Sequence, residues 1–356
     1  IYIGSNRDWA SGTQGTDFGS FPSDGLTVLS DTNPASPWFG LGATGLAPVP
    51  EGTYVSIFSA QRFSENEQQT HEVQLIGETD DAKIKYVVGV YKFEEESYED
   101  NPQFFTMPAS YLYGALDAGT QAFMCGAEIV PGFGPCFGKD GVASAPDFEY
   151  GGDFESQAIY GQVTYSATDA LDLTVGLRYT EDDKDAFFAN TNVSQGGVLL
   201  PAGTRVPAGK SWDNTSGTFI ANYAVDEETI LYGSISTGYR SGGYTPRAST
   251  AEGFTNGFDE ETVTSYEIGL KTDLLDNRLR INTAIFNIDF EDQQVAAFEA
   301  GTGGATSIVL NAGQSTIQGL ELELTAQLSE ALRLNFNYGY IDSEYDEFIS
   351  GRTDPG

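Results

Sequence analysis

From Glu227 to Val295 apolar and polar positions alternate with a period of two. Between Thr262 and Leu274, Tyr266, Ile268 and Leu270 are set against Glu267, Gly269 and Lys271, the mark of a strand with two unlike faces. Leu274-Leu275-Asp276-Asn277 reads as a reversal, after which Leu279, Ile281, Thr283 and Ile285 return. With Leu274 opposite Asn277, Leu270 is expected to face Ile281, Ile268 to face Thr283, and Tyr266 to face Ile285. One face of this hairpin is then apolar, and the other carries Glu267, Lys271, Arg280 and Asn282. Beyond Ile285 the apolar positions change parity to Phe286, Ile288 and Phe290, which predicts a bulge or an exit from the apolar layer.

Four further hairpins follow the same rule. Val73 and Leu75 precede a turn at Thr79-Asp80-Asp81, and Ile84, Tyr86, Val88 and Val90 return. Ile159, Gly161, Val163 and Tyr165 meet Leu171 to Tyr179 across Thr168-Asp169-Ala170. Phe219 to Val225 meet Leu231 to Tyr239 across Asp226-Glu227-Glu228, and Leu320 to Leu328 meet Leu332 to Tyr340 across Ser329-Glu330-Ala331. Long connections are expected at 94–153 and 182–212. Residues 1–53 are rich in Gly, Ser, Pro and Asp and read mostly as loop, after a strand stub at Tyr2 and Ile3. Strands and loops fill 54–356.

Short turns therefore alternate with long loops. The strands run ~11–14 residues, against ~5–6 for a soluble strand, enough to cross a bilayer at a tilt. This is the arrangement of an all-β, antiparallel transmembrane barrel with short turns at one rim and long extracellular loops at the other. Tyr179, Tyr239 and Tyr340 would end the outward faces at the long-loop rim, and Tyr165 and Tyr223 at the short-turn rim, as aromatic girdles do. A soluble sandwich with one wet face also explains the alternation, but neither the strand length nor the succession of connections.

The wording of these strands resembles a family. GYRSGGY at 238–244, YEIGLK at 266–271, FNIDFEDQQV at 286–295, Asn311-Ala312-Gly313-Gln314 and IQGLELEL at 317–324 are similar to the barrel of TonB-dependent outer-membrane receptors. VVGVYKF at 87–93 and LTVGLRYTED at 173–182 fit it too. The resemblance implies a barrel of ~22 strands, of which 1–356 would be one partial domain, its plug domain absent from this chain. It implies residence in the outer membrane of a Gram-negative bacterium, among lipopolysaccharide. It also implies uptake of a scarce large solute, a ferric siderophore first, or cobalamin or an oligosaccharide, driven by the TonB-ExbB-ExbD complex. A passive pore or surface adhesin on the same kind of barrel is the rival. Closing so few strands into a narrow barrel would bury Arg178, Arg240, Glu267, Lys271, Glu321 and Arg333, so an open sheet with unpaired outer strands is expected.

Composition sharpens this picture. The 356 residues hold 52 acidic and 17 basic side chains, a net charge of −35, which argues against nucleic acid as a partner. No apolar run reaches ~18 residues, so no transmembrane helix is expected, a test that barrel strands escape. One histidine, His71, leaves no Ser-His-Asp set, and carboxylate clusters at 94–96, 181–183 and 342–347 read as solvated rims. The chain reads as a non-enzyme, without a cofactor. Two cysteines and one histidine cannot build an ordinary zinc site. A calcium role for Asp289, Glu291 and Asp292 lacks the EF-hand glycine and spacing. Cys125 and Cys136, in one loop of an exported chain, most simply close a disulfide, with a redox pair as the alternative. In phase with the polar face stand Arg178, Arg240, Glu267, Lys271, Glu321, Glu323 and Asn337, a wall for a wet interior that either contacts a solute or is merely hydrated.

Overall fold

The computed structural model describes residues 1–15, 20–22, 27–29, 46–48, 54–56, 58–101, 103–108, 141–144, 148–190, 194–195, 198–201, 203–246, 248, 250–301 and 304–348. Cys125 and Cys136 lie outside them. One antiparallel sheet dominates, a meander in which eleven long strands follow one another. They are β1 (Tyr2–Gly15), β6 (Phe58–Glu78), β7 (Ile84–Asp100), β10 (Phe148–Thr168), β11 (Leu171–Asn190) and β14 (Val206–Ala224), then β15 (Thr229–Arg240), β16 (Glu261–Leu274), β17 (Leu279–Glu291), β20 (Gly313–Ser329) and β21 (Leu332–Phe348). Short pieces complete the order: β2 (Ser20–Pro22), β3 (Thr27–Leu29), β4 (Leu46–Pro48), β5 (Tyr54–Ser56), β8 (Gln103–Pro108), β9 (Gly141–Ser144), β12 (Ser194–Gln195) and β13 (Val198–Leu199). The hairpin β18 (Gln294–Gly301) with β19 (Gly304–Asn311) sits between β17 and β20. Among the described residues the sheet is open: β1 pairs only with β6 and β21 only with β20. No described helix is long and apolar enough to cross a membrane, which says nothing about strands.

Alternation sorts the side chains as the pattern demands. Val73, Val90, Ile159 and Tyr179 are neighbours across four strands on one face, and all are exposed. Val163, Val175, Phe219 and Ile235 form another such row. Large apolar side chains thus cover one face of the wall without a partner among the described residues. The rows are staggered. One runs Tyr165, Leu173, Ala221, Gly233, Ile268, Ile285, Leu320, Tyr340. It starts beside the turn in β10 and ends in the middle of β21, which is the offset that tilted barrel strands require.

Several expectations need correction. Leu274 pairs with Leu279, so Leu270 faces Thr283, Ile268 faces Ile285 and Tyr266 faces Asn287. The turn is Leu275 to Arg278, with Leu275, Asp276 and Asn277 all at positive φ. A slip of two residues keeps every side chain on its expected face. No bulge follows Ile285, because β16 and β17 pair without interruption to Glu291. Phe286 lies on the polar face instead, its ring over Gly319 of β20. Tyr160 covers Gly89 and Tyr232 covers Gly269 in the same manner, each ring filling the place of a missing Cβ. The stub at Tyr2 is a strand of 14 residues, paired with β6 along its whole length. The acidic run at 94–96 is strand as well, since β7 reaches Asp100, β11 reaches Asn190 and β14 begins at Val206. The wall is taller than the alternation marks, because above the apolar band both faces are polar and the period-two contrast fades.

Candidate functional site

The polar face is built from the same strands by parity. On β11, Arg178 alternates with Leu177 and Tyr179, so it stands opposite the apolar band. Its guanidinium lies over the rings of Tyr91 and Tyr160, 5.3 and 5.6 Å from their centroids, and its Nε donates to Thr180 at 3.0 Å. The Tyr160 hydroxyl donates to Glu72 at 2.5 Å and accepts from the Gln74 amide at 2.9 Å. Two tyrosines thereby fix the arginine without an ion pair among the described residues, an arrangement that suits a guanidinium presented to an anion.

A second group lies lower on the wall. The Tyr232 hydroxyl donates to Glu267 at 2.6 Å, and the Lys271 ammonium lies 5.2 Å from the Tyr232 ring. Asn282 donates to Glu323 at 3.3 Å. Glu323 pairs in register with Asn337, and Glu321 with Gly339, on the edge strand β21. Glu321, Glu323 and Asn337 are exposed. Six of the seven residues expected on the polar face thus fall into three places: Arg178 in the upper network, Glu267 with Lys271 at mid-wall, and Glu321, Glu323 and Asn337 toward the β21 edge. Arg240, the seventh, is exposed at the upper end of β15. Tyr239 departs from its expected place in the girdle. It is half-buried, and its hydroxyl donates to Asp182, next to Arg178 on the polar side.

Above these groups the segment 241–260 folds back across the polar face. Its short helix, Ala251–Asn256, is capped by Thr250, whose hydroxyl accepts from the Gly253 N–H at 2.9 Å. Phe254 from this helix is fully buried against Phe188, with Tyr244 and Tyr150 around it at ring-centroid distances of 4.5, 5.3 and 6.4 Å. Trp212 closes the cluster, and the ammonium groups of Lys184 and Lys210 stand 5.5 and 5.2 Å from its ring. Lys184 donates to the Gly242 carbonyl at 2.7 Å, and burial pulls its pKa below the ordinary lysine value. Burial likewise pushes the Tyr150 phenol up to about 12. A Cβ at Gly242 would run into Trp212 and the Phe258 carbonyl, so only glycine fits there. GYRSGGY is the anchor of this strap. The cluster draws aromatics from four separate segments with no shared period, so nothing in the pattern announces it.

The charges are sorted between the two faces. Beyond the apolar band and on its side, Gln69, Glu94, Glu155 and Asp183 form one row, and Glu67, Glu96, Asp153 and Asp185 the next. Lys92 pairs with Glu94 at 2.8 Å and approaches Glu155 at 3.5 Å. On the polar face Arg62 is paired to Glu99 at 2.5 Å and Lys210 to Asp259. Among the described residues no group of three or more His, Cys, Asp or Glu side chains converges to hold a metal ion. Asp289 accepts from Asn287 at 2.7 Å and from Thr316 at 3.4 Å.

Comparison with known proteins agrees with this architecture. The model of the family described as TonB dependent receptor-like, beta-barrel, matches residues 2–356. The metal-pseudopaline receptor CntO of Pseudomonas aeruginosa is 34% identical over 122 residues, 34% of this chain and 16% of that protein. The probable TonB-dependent siderophore receptor PiuA of Acinetobacter baumannii is 25% identical over 208 residues, covering 58% of this chain and 26% of its own length. The ferric yersiniabactin uptake receptor FyuA from Yersinia pestis superimposes with a TM-score of 0.60 at 16% identity, over 83% of this chain and 38% of that structure. The chain therefore spans a minor part of the length of the relatives it matches. An antiparallel meander with one continuous apolar face, staggered rows and a family match along nearly its whole length shows that the chain belongs to the TonB-dependent receptor β-barrel family, whose members are outer-membrane proteins and transport receptors.

Proposed function

We propose that the chain is part of the barrel wall of an outer-membrane receptor that takes up a scarce metal chelate, a ferric siderophore first. The observation that carries this reading is the family match along 2–356, joined to relatives whose own names are siderophore and metal-chelate receptors. The apolar band then faces lipid, and the polar face lines the lumen. Arg178, held by Tyr91 and Tyr160, is the foremost solute-facing contact, and Arg240, Glu267, Lys271, Glu321, Glu323 and Asn337 line the remainder. The work comes from the TonB-ExbB-ExbD complex, acting through a plug domain outside this chain. The carboxylate rows beyond the girdle stand at the height of the lipopolysaccharide headgroups, whose phosphates they meet through divalent cations.

The test is uptake of radioactive iron by iron-starved cells with and without the full-length gene. Loss on deletion, recovery on complementation and arrest by a protonophore are expected. Entry that continues after the protonophore would replace this reading with a passive pore.

A further inference from the structure

Two side-chain amides meet where the strap and the β18–β19 hairpin leave the wall. The Asn311 carboxamide accepts from the Asp259 N–H at 2.7 Å. Its Nδ2 donates to the carbonyls of Asp259 at 2.9 Å, Glu260 at 3.3 Å and Asp292 at 2.9 Å. Gln294 Nε2 donates to the carbonyls of Ser241 and Asp259, both at 3.0 Å, and its backbone N–H donates to Glu261 at 2.6 Å. The Asp259 carbonyl thus accepts from both amides. Further out, the Val309 N–H donates to Thr245 at 3.3 Å. These bonds join the exit of β15, the entry of β16, the exit of β17 and both feet of the hairpin. No element of regular structure supplies these bonds, because the strap has left the ladder.

We propose that Asn311 and Gln294 form a clasp that sets the attitude of the strap across the lumen wall, making them positioning residues for solute capture. This rests on the uptake reading above. The Phe254 cluster holds the strap at its middle, the Gly243–Phe258 backbone pair joins its ends to each other, and Lys184 and Lys210 tie those ends to the wall at Gly242 and Asp259, but these contacts leave the ends untied to the hairpin. The clasp fixes both ends to the hairpin, so the surfaces that a solute first meets move as one block. An amide suits this place because it donates to carbonyls and accepts from an N–H at once, which a carboxylate cannot do.

The test uses full-length receptor, otherwise free of cysteine, in outer membranes. Spin labels are placed through Thr255→Cys on the strap helix and Thr215→Cys on β14, both exposed. One narrow distance is expected in the parent, and a second, longer component in Asn311→Ala and in Gln294→Ala. In Asn311→Asp the long component should be present at neutral pH and recede on acidification. There the new carboxyl lies among three carbonyls and near Asp259, Glu260, Glu261 and Asp292, with Lys210 paired to Asp259 and Arg240 opposite Glu261 as the cations; the acidic excess raises its pKa, and once protonated it can donate again. Unboiled electrophoretic mobility confirms that each barrel is folded. Unchanged distances in both alanine variants, or no pH response in Asn311→Asp, would overturn the clasp. Uptake is followed with radioactive iron equilibrated in the cells' own iron-limited medium. A raised half-saturation with unchanged maximal rate is expected, and an unchanged half-saturation beside broadened distances would overturn the positioning role. Absent uptake in the parent would sink the transport reading instead, with the distances still deciding the clasp.

Discussion

Leu275, Asp276 and Asn277 stand in succession at positive φ. Each L residue in that region costs about 1–2 kcal/mol relative to the right-handed helix region. Leu275 is 69% exposed, so it regains little by packing. Leu275→Gly should therefore stabilise the turn by up to about 1 kcal/mol, after the entropy that glycine loses on folding. Denaturant midpoints of the refolded full-length receptor would show it, and a fall in the midpoint would refute it. Nearby, Arg280 grips Asp273 with two hydrogen bonds of 2.7 and 2.9 Å, which hold that carboxyl below its ordinary value. A lowered carboxyl pKa contributes stability above the ordinary carboxylate range, and the contribution disappears as pH falls through the lowered value. NMR titration should find the Asp273 carboxyl titrating higher in Arg280→Ala, and an unmoved titration would count against the pairing. This turn also shows why the hairpin register was off by two residues. Nothing in Leu-Leu-Asp-Asn marks left-handed backbone, which glycine usually announces, whereas parity, which decides the facing, was legible from the first residues.

At the scale of strands, the apolar band makes its own demand. Ile268 is 62% exposed and sits between Tyr266 and Leu270 on the lipid side. Ile268→Arg should cost about 2–4 kcal/mol if it lies near the bilayer midplane, whereas Glu267→Arg, one residue away on the wet face, should be tolerated in assembly. Folded yield in lipid vesicles separates the two, and equal losses would contradict the facing. The hairpins and their faces were readable because lipid on one side and water on the other impose contrast at every second residue. Above the band that contrast is gone, so the extensions of β7 and β11 and the full length of β1 were not. The strap was invisible for a different reason. Phe188, Trp212 and the strap residues Tyr244 and Phe254 come from separate segments, and the fold of the strap back over β11 and β14 brings them together. Arg178 was found by phase alone, but its tyrosine cradle needs three strands in register.

For the molecule as a whole, the net charge of −35 misleads if spread evenly over the surface. The two carboxylate rows oppose like charges across neighbouring strands, an arrangement that destabilises. Screening relieves it, since the Debye length falls from ~30 Å at 0.01 M to ~10 Å at 0.1 M salt. Amide exchange in the upper parts of β6, β7, β10 and β11 should therefore quicken at low ionic strength, while the band below keeps its protection. Equal response along the strands would show that the rows are neutralised already. Because two rows of described carboxylates stand together on the outer side, the overall charge says little about the charge along the polar face.

The staggered rows have a mechanical meaning. Antiparallel rungs run across the strands, so a load directed along a strand pulls on every rung of its ladder together and not on one after another. A tilted wall with β10 and β11 bonded from Phe148–Asn190 down to Thr168–Leu171 resists such a load in shear along the whole ladder. Tension applied through the lumen would reach the wall as a small strain shared among many bonds. The strap, held by side-chain amides, two lysines, one aromatic cluster and the single backbone pair Gly243–Phe258, would yield long before it.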